Sequence, residues 1–202
     1  MMNYLAHLAL AQPTASSLVG NLLGDFSKGV CLVSLALSIK AGLANHRAVD
    51  AFTDADNAIC LAKRQFSPTR RRFAGVALDV LFDHFLTVHW SRFYAEPFSR
   101  AKLALYQQLA HAEPLMPAQM LWTMQKVRQQ DWFESYQQLP RVGMALDRIA
   151  QRIRFANQFA GIITEITPRY TELEQVFLDF YPRLQQHVRQ QALEPIIMPA
   201  QR

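Results

Sequence analysis

The sequence has few of the residues that stabilise secreted domains or cross membranes. Among 202 residues only two are cysteines, Cys31 and Cys60, and both have apolar neighbours. A disulfide framework is therefore excluded, and we expect both thiols to be small core residues of a cytoplasmic protein. The apolar stretches between residues 18 and 43 are interrupted by Asp25 and Lys28. The chain also begins without a basic segment and a cleavage site, so we expect neither secretion nor a membrane span.

The excess of positive over negative charge is also small. The 21 Lys and Arg residues exceed the 16 Asp and Glu residues, which gives a formal net charge of +5. Such an excess either steers an anionic partner or substrate towards the protein or only solvates its surface. The basic residues form short groups, 63–64 and 70–72, and not the longer basic stripes of nucleic-acid-binding proteins. We therefore expect no nucleic-acid partner.

Glycine is scarce as well, with seven residues, and no segment alternates strictly between apolar and polar side chains. This pattern predicts an all-α protein, which we expect to be a single-domain helical bundle over residues 1–202. The clearest helix is 72–90, where apolar residues recur every three or four positions. Six other helices are predicted, and 151–167 is a weaker candidate because it contains Gly161 and three β-branched residues. The six are 32–41, 46–64, 100–111, 117–130, 143–152 and 172–191.

One acidic cluster lies in the predicted helix 46–64. His46, Asp50 and Asp54 are spaced four residues apart, so they project from one face of a helix. An imidazole beside two carboxylates suits a divalent cation. The alternative for this segment is a solvated face with an ordinary His–Asp pair.

A second cluster lies in the most apolar helix. Asp79 and Asp83 share one face four residues apart, while the adjacent His84 points about 100° away. Burying two carboxylates costs several kcal/mol unless something compensates their charge, so about this much must be recovered elsewhere. A salt bridge to the arginines at 70–72 and a bound metal are the two candidates, and two such helices in one chain favour the metal.

Two further candidates lie upstream. Asn21 and Asp25 are four residues apart between glycines, where backbone can approach another element or an anion closely. His7 stands on an apolar segment, where a histidine is more often a core residue than a ligand. His89, His111 and His187 have no acidic companion at metal-binding spacing and are predicted to be surface or packing residues.

Taken together, these motifs resemble the acyl carrier protein phosphodiesterase family. The resemblance covers roughly the first 90 residues in five motifs and returns near Phe180-Tyr181-Pro182. The five motifs are Asn3-Tyr4-Leu5-Ala6-His7-Leu8, Gly20-Asn21-Leu22-Leu23-Gly24-Asp25-Phe26, His46-Arg47-x-x-Asp50-x-x-Thr53-Asp54, Arg71-Arg72-x-Ala74-Gly75 and Asp79-x-x-x-Asp83-His84-Phe85-Leu86-x-x-x-Trp90.

The resemblance implies an enzyme that hydrolyses the 4'-phosphopantetheine–serine phosphodiester of holo-acyl carrier protein. It also implies an HD-domain-like helical fold and a manganese cofactor, with magnesium or another divalent ion as a substitute. Gly24 stands where the family is expected to have alanine, a change expected to be tolerated. The resemblance also implies roles for individual residues. Those roles are catalysis for Asp25 and His84; metal binding for His7, Asp25, His46, Asp50, Asp79 and Asp83; and substrate or carrier binding for Arg47, Arg70, Arg71 and Arg72.

Two other functions use the same residues. The first is an HD-like nucleotide phosphohydrolase that acts on a small phosphorylated substrate with the same metal ligands. The second is a non-catalytic helical module that binds carrier protein through its basic surface, in which the acidic clusters are internal salt bridges. The residue spacing alone does not choose among the three.

Overall fold

The computed structural model describes residues 3–195, and this part of the chain is helical without any β-strand, which confirms the predicted all-α class. Short 3₁₀ turns lie at Leu32–Ser34, Arg71–Phe73, Glu113–Leu115 and Thr167–Arg169. The α-helices are α1 (Tyr4–Ala9), α2 (Ala15–Phe26), α3 (Leu37–Ala55), α4 (Asn57–Arg64), α5 (Ala74–Val88), α6 (Trp90–Phe93), α7 (Phe98–Ala112), α8 (Ala118–Gln129), α9 (Trp132–Ser135), α10 (Leu139–Arg152), α11 (Ile163–Ile166) and α12 (Tyr170–Gln191).

Helix α5 lies at the centre of the fold. Its residues from Ala77 to Thr87 are all buried, and it packs against α1, α4, α10 and α12. Within α5, the large side chains of Phe82, Phe85 and Leu86 are almost completely removed from solvent. Burial of this apolar surface is the main force that assembles the helices around α5.

Helices α2 and α3 form the closest helix pair, and two glycines permit their approach. A Cβ atom at Gly20 would lie 2.4 Å from the Ile39 carbonyl oxygen, and one at Gly42 would lie 2.8 Å from the Ser17 carbonyl oxygen. Side chains at both positions would separate the backbones. The crossing places Asn21 of α2 against His46 of α3, and Asp25 of α2 near His46 and Asp50.

Most predicted helices are present, but several boundaries differ. The segment 72–90 corresponds to α5, whereas the predicted helix 46–64 is divided into α3 and α4 at Asp56. The Asp56 side chain accepts hydrogen bonds from the backbone N–H groups of Ala58 and Ile59, so it caps α4 and ends α3. The predicted helix 32–41 is wrong in its first half, since α3 begins at Leu37. Residues 153–162 are not helical.

The positions of the two cysteines and the lengths of the helices test two further predictions. Cys31 is exposed and Cys60 is partly exposed, so the prediction that both are core residues is wrong. Cys31 lies in the connection between α2 and α3, where Val33 is also exposed, because this connection passes over the surface. No helix between residues 3 and 195 is both long and apolar enough to span a membrane.

Candidate metal centre

The centre of the candidate site is His46, whose imidazole is fixed from one side by backbone. Its Nδ1 lies 2.7 Å from the Asn21 carbonyl oxygen. A carbonyl oxygen can only accept, so Nδ1 carries the proton, and Nε2 is left to bind a cation or a proton of its own. A partner of this kind that fixes the ring of a ligand histidine is typical of metal sites.

His7 of α1 contributes a second imidazole that is completely buried. Its ring is stacked on that of His46, with centroids 4.0 Å apart and planes 19° from parallel. Neither ring nitrogen of His7 has a hydrogen-bond partner within the described chain. A buried polar group without a partner costs about 1–3 kcal/mol, so its retention here points to a ligand that the protein chain itself does not supply.

Asp50 joins the two imidazoles. Its Oδ1 lies 3.4 Å from His7 Nε2, without hydrogen-bond geometry, and its Oδ2 lies 3.2 Å from His46 Nε2. The ligand atoms of the three residues all lie within 4.8 Å of one another. Ligands held at about 2.1 Å from one ion are separated by about 3 to 3.5 Å, so the trio fits a single metal ion with little movement.

The chemistry of the three donors narrows the choice of ion. Two imidazoles and one carboxylate suit first-row transition ions such as Mn²⁺, Fe²⁺, Co²⁺ and Zn²⁺, whereas Mg²⁺ prefers an all-oxygen shell. The Asp50 side chain is 21% exposed, so the centre can be approached from solvent on that side. A set of three protein ligands leaves room for substrate, as expected of a catalytic ion.

Burial and neighbouring charges give the three residues of the trio different pKa values. Burial lowers the pKa of His7 to about 4 despite the attraction of Asp50, so this imidazole is neutral at physiological pH. Burial also opposes the charged form of His46, but the hydrogen bond and charge of Asp50 outweigh it and raise the pKa of His46. The same two histidines outweigh the burial of Asp50 and hold its pKa far below the usual range. Asp50 is therefore ionised.

Because the pKa of His46 is raised and that of His7 is lowered, we expect a bound metal to displace a proton from His46. At pH 7 we expect metal binding to release up to about one proton per ion, with more release as the pH is lowered towards 6.5, because the ion takes the place of the proton on Nε2. His7 has no proton to release. Calorimetric titration with Mn²⁺ in buffers of different ionisation enthalpy measures the number of protons released per bound ion. Binding without proton release, or equal release by a His46→Ala variant, would contradict this assignment.

Asp25 lies beside the trio and is not one of the three clustered ligands. It occupies the last turn of α2, where its side chain has access to solvent. Desolvation raises the pKa of Asp25, the His46 charge lowers it and the Asp50 charge raises it, which leaves it at about 6. A carboxyl group with such a pKa exchanges protons readily near neutral pH. Its position therefore suits proton transfer better than structural metal binding.

Asp83 has a different role from the one expected for it. Its two oxygens accept hydrogen bonds, each 3.0 Å long, from the backbone N–H groups of Leu5 and Ala6. These donors belong to the first turn of α1, where a helix has no partners of its own. Asp83 thus fixes the start of the helix that carries His7. The backbone of α1 and the Asn3 side chain provide its hydrogen-bond partners.

Asp79 is buried one turn earlier in α5, outside the clustered trio. Burial raises the pKa of Asp79 well above its usual range and that of Asp83 to about 7. The neutral acid form explains how Asp79 is tolerated in the interior. Neither Asp79 nor Asp83 belongs to the cluster of His7, His46 and Asp50, so the geometry does not support a metal-binding role for them and that role stays a prediction.

An Asp83→Asn variant distinguishes a role of Asp83 in anchoring α1 from a role in metal binding. An amide has only one acceptor oxygen and places an NH₂ group against a backbone donor, so we expect the free energy of unfolding to fall by about 1.5–3 kcal/mol at pH 8. Urea denaturation measures this loss, and metal content per folded molecule should be unchanged. The exposed Asp179→Asn is the control, with an expected change within about 0.5 kcal/mol. Full stability with loss of metal would instead support the ligand role.

His84 is also placed apart from the trio. Its Nδ1 lies 2.6 Å from the Tyr136 carbonyl oxygen, and its Nε2 lies 2.8 Å from the Tyr170 hydroxyl group. Nδ1 therefore donates to Tyr136, and Nε2 accepts from Tyr170. Burial lowers the pKa of His84, which favours the neutral ring. A proton-donating catalytic role for His84 is not supported, because both ring nitrogens tie α5 to neighbouring elements.

The arginines expected to bind substrate fall into two groups. Arg70 is used internally, since it pairs with Glu165 at 3.2 Å and donates to the carbonyl oxygens of Gln158 and Ala160. Arg47, Arg71 and Arg72 are exposed. Arg72 also lies over the rings of Phe73 and Phe155. A role in binding substrate or carrier therefore remains a prediction for these exposed three.

The third member of the acidic face on α3 is likewise used elsewhere. Asp54 pairs with Lys63 of α4, with 2.9 Å between Oδ1 and Nζ. The pair is largely exposed at Asp54, so it contributes little to stability. Of the predicted face, only His46 and Asp50 join the trio. Asp54 is exposed, as the solvated-face alternative expected, but its partner is a lysine and not a histidine.

Several residues that shape the site had no assigned role. Asn21 accepts from Asn45 and donates to the buried Glu194 carboxylate, both at 2.8 Å, which fixes the turn whose carbonyl oxygen holds His46. At Gly24 an added Cβ atom would lie 1.9 Å from His46 Nε2. Alanine there is not a neutral exchange in this structure, since His46 would have to move. The spacing of Gly20 and Gly24 was the only sequence signal for this packing.

The fold and the trio together define a helical protein with a candidate divalent-metal centre at the crossing of α1, α2 and α3. The sequence model of the acyl carrier protein phosphodiesterase family matches residues 2–184. The chain belongs to this family and is an enzyme of the phosphoric diester hydrolase class, as the motifs implied.

Individual relatives agree over nearly their full length. The acyl carrier protein phosphodiesterases of Serratia proteamaculans and Yersinia enterocolitica are 35% and 36% identical over 197 and 190 residues, which is 95% and 91% of this chain and 100% and 95% of theirs. The Escherichia coli protein of the same name is 31% identical over 193 residues, 95% of this chain and 100% of its own. No solved structure matches the chain, so the likeness to HD-type phosphohydrolases stays a prediction.

Proposed function

We propose that the chain is a metal-dependent phosphodiesterase that hydrolyses the 4'-phosphopantetheine–serine phosphodiester of holo-acyl carrier protein. The products are apo-carrier protein and 4'-phosphopantetheine. The match over residues 2–184 carries the proposal for the substrate, and the buried trio His7, His46 and Asp50 supports the metal dependence. The net charge of +5 is compatible with an acidic protein substrate.

The three clustered residues would hold the ion, and we propose Mn²⁺ as its identity. When bound, a divalent ion supplies charge neutralisation of the phosphodiester and lowers the pKa of nearby water. His46 would offer its Nε2 lone pair and neutral His7 one ring nitrogen, and ionised Asp50 would supply the negative charge. The Asn21 carbonyl oxygen keeps His46 in the tautomer that makes this possible.

The remaining steps are proposed for the protein side chains near the trio. Asp25 is mostly ionised above pH 6 and accepts a proton from the attacking water at a carboxylate oxygen. The same carboxyl group can then return that proton to the departing serine oxygen. Exposed Arg47 follows His46 directly and is suited to an anionic group of the carrier. The roles of Arg71 and Arg72 are proposed on the same ground.

The experiment compares metal-free protein with protein loaded with Mn²⁺ or Mg²⁺. Holo-acyl carrier protein is the substrate, and mass spectrometry follows loss of the phosphopantetheinyl group. We expect conversion to apo-carrier with Mn²⁺ and much less with Mg²⁺, because two of the three donors are imidazoles. A nucleotide panel under the same conditions tests the HD-like nucleotide hydrolase. Phosphate release from a nucleotide with an intact holo-carrier, or carrier binding without any hydrolysis, would refute the proposal.

A further inference from the structure

A large cleft lies next to the candidate metal centre and shares its helices. Its volume is about 660 Å³, and it is lined by α8, α9, α10 and the ends of α1 and α2. Two of its lining residues lie close to residues of the centre, and the charge of Asp25 acts on one of them, Tyr4. Tyr4 lies three residues before His7, about 4.5 Å along the helix axis, and Phe26 follows Asp25. The Tyr4 and Phe26 rings stack with centroids 5.9 Å apart, so they form one continuous wall.

The side chains that line this cleft are aromatic, aliphatic, neutral polar or basic, and none of the lining residues is a carboxylate. Five residues are aromatic, five carry an amide or hydroxyl group, four are aliphatic and three are arginines. The arginines Arg141, Arg148 and Arg152 are spaced along α10 and are exposed at the rim. Trp122 and Met144, also lining residues, are 51% and 45% exposed. Such exposed apolar surface in a concave site marks a ligand-binding position.

We propose that this cleft binds the pantetheine arm of the carrier protein, an inference that rests on the proposed function. The arm carries a gem-dimethyl group, two amides and a thiol, which match aromatic walls interrupted by neutral hydrogen-bonding side chains. The phosphodiester at its end then reaches the metal centre past Tyr4 and Phe26. The arginine rim of α10 faces the acidic surface of the carrier, where opposite charges favour encounter. A cleft of this volume is within the usual range for a small ligand, about 300–1,000 Å³.

Tryptophan fluorescence offers a direct test of the proposal. Two of the three tryptophans, Trp122 and Trp132, line the cleft, whereas Trp90 is buried against a second, smaller cavity. We expect free pantetheine to change the emission of the wild-type protein in a saturable way. The change should disappear in the Trp122→Phe/Trp132→Phe variant and persist in Trp90→Phe. Absence of any change with pantetheine, or a change that depends only on Trp90, overturns the inference.

A blocking variant tests the cleft during turnover of holo-carrier protein. Ala145 lines the cleft on α10, and we expect Ala145→Phe to raise KM by about tenfold or more, the scale of a lost apolar contact, with kcat less affected. Ala104→Phe, in the smaller cavity on α7, is the matched control and should leave KM unchanged. Equal KM values in wild type and Ala145→Phe overturn the inference.

The two proposals fail in different ways. If wild-type protein does not convert holo-carrier, the proposed function fails while the pantetheine titration still decides what the cleft binds. If conversion is normal and the titration is negative, the cleft proposal alone fails. An emission change with apo-carrier protein but none with pantetheine would show that the cleft is a protein-docking surface, which also overturns it.

Discussion

Replacement of Asp50 by asparagine is expected to abolish metal binding and to lower phosphodiesterase turnover by about a thousandfold or more, the scale seen when an essential group is removed. Asp50 is the only carboxylate in the trio, and its oxygens lie 3.4 and 3.2 Å from the two imidazoles. An amide of the same shape removes the negative charge that balances the cation. It also removes the partner that raises the pKa of His46.

Metal content by elemental analysis and turnover of holo-carrier protein are the two measurements. The matched control is Asp54→Asn, one turn further along α3, where the carboxylate pairs with Lys63 outside the trio. We expect this control to retain its metal and most of its activity. Equal loss of metal in both variants would show that the whole acidic face of α3 binds the ion, and an unchanged Asp50→Asn would remove the proposed centre altogether.

Replacement of Gly24 by alanine is expected to weaken metal binding by about 10–100-fold, the range measured when a group that orients a ligand is disturbed. The added methyl group would lie 1.9 Å from His46 Nε2, the atom that faces the ion. His46 cannot retain both its bond to the Asn21 carbonyl oxygen and its present ring position. Helix propensity acts in the opposite direction, since alanine favours a helix over glycine by about 1 kcal/mol.

The effect on the metal can therefore be separated from the effect on the helix. Gly75→Ala is the control because an added Cβ atom there meets only Lys63 Cε, at 3.8 Å. We expect it to be neutral or slightly stabilising, with normal Mn²⁺ affinity by calorimetric titration. Unchanged affinity in Gly24→Ala would mean that His46 shifts freely without losing its ligand geometry, and the expectation drawn from the family resemblance would then be correct.

The main differences between sequence and structure concern local signals that tertiary contacts override. The apolar period of α5 predicts that helix, but it cannot tell which partner compensates its aspartates. Asp83 turned out to cap α1, some 78 residues away. Helices α1 and α2 were not predicted as helices, although they carry His7 and Asp25. Helix α1 is only six residues long, too short to be stable alone, and it depends on Asp83 for its first turn.

Three features follow from the sequence because they depend on local properties of the chain. The apolar period gives the all-α class, the order of the motifs gives the family, and the i,i+4 spacing places His46 and Asp50 on one helix face. The tertiary structure brings His7, which the family resemblance implied as a ligand, to this pair, and it places Asp25 beside them. It also engages Asp83 with the start of α1 and His84 with Tyr136 and Tyr170. The reason is physical. A ligand set needs side chains within a few ångströms, and that proximity arises from the close crossing of α2 and α3 at Gly20 and Gly42 and from the anchoring of α1 on α5.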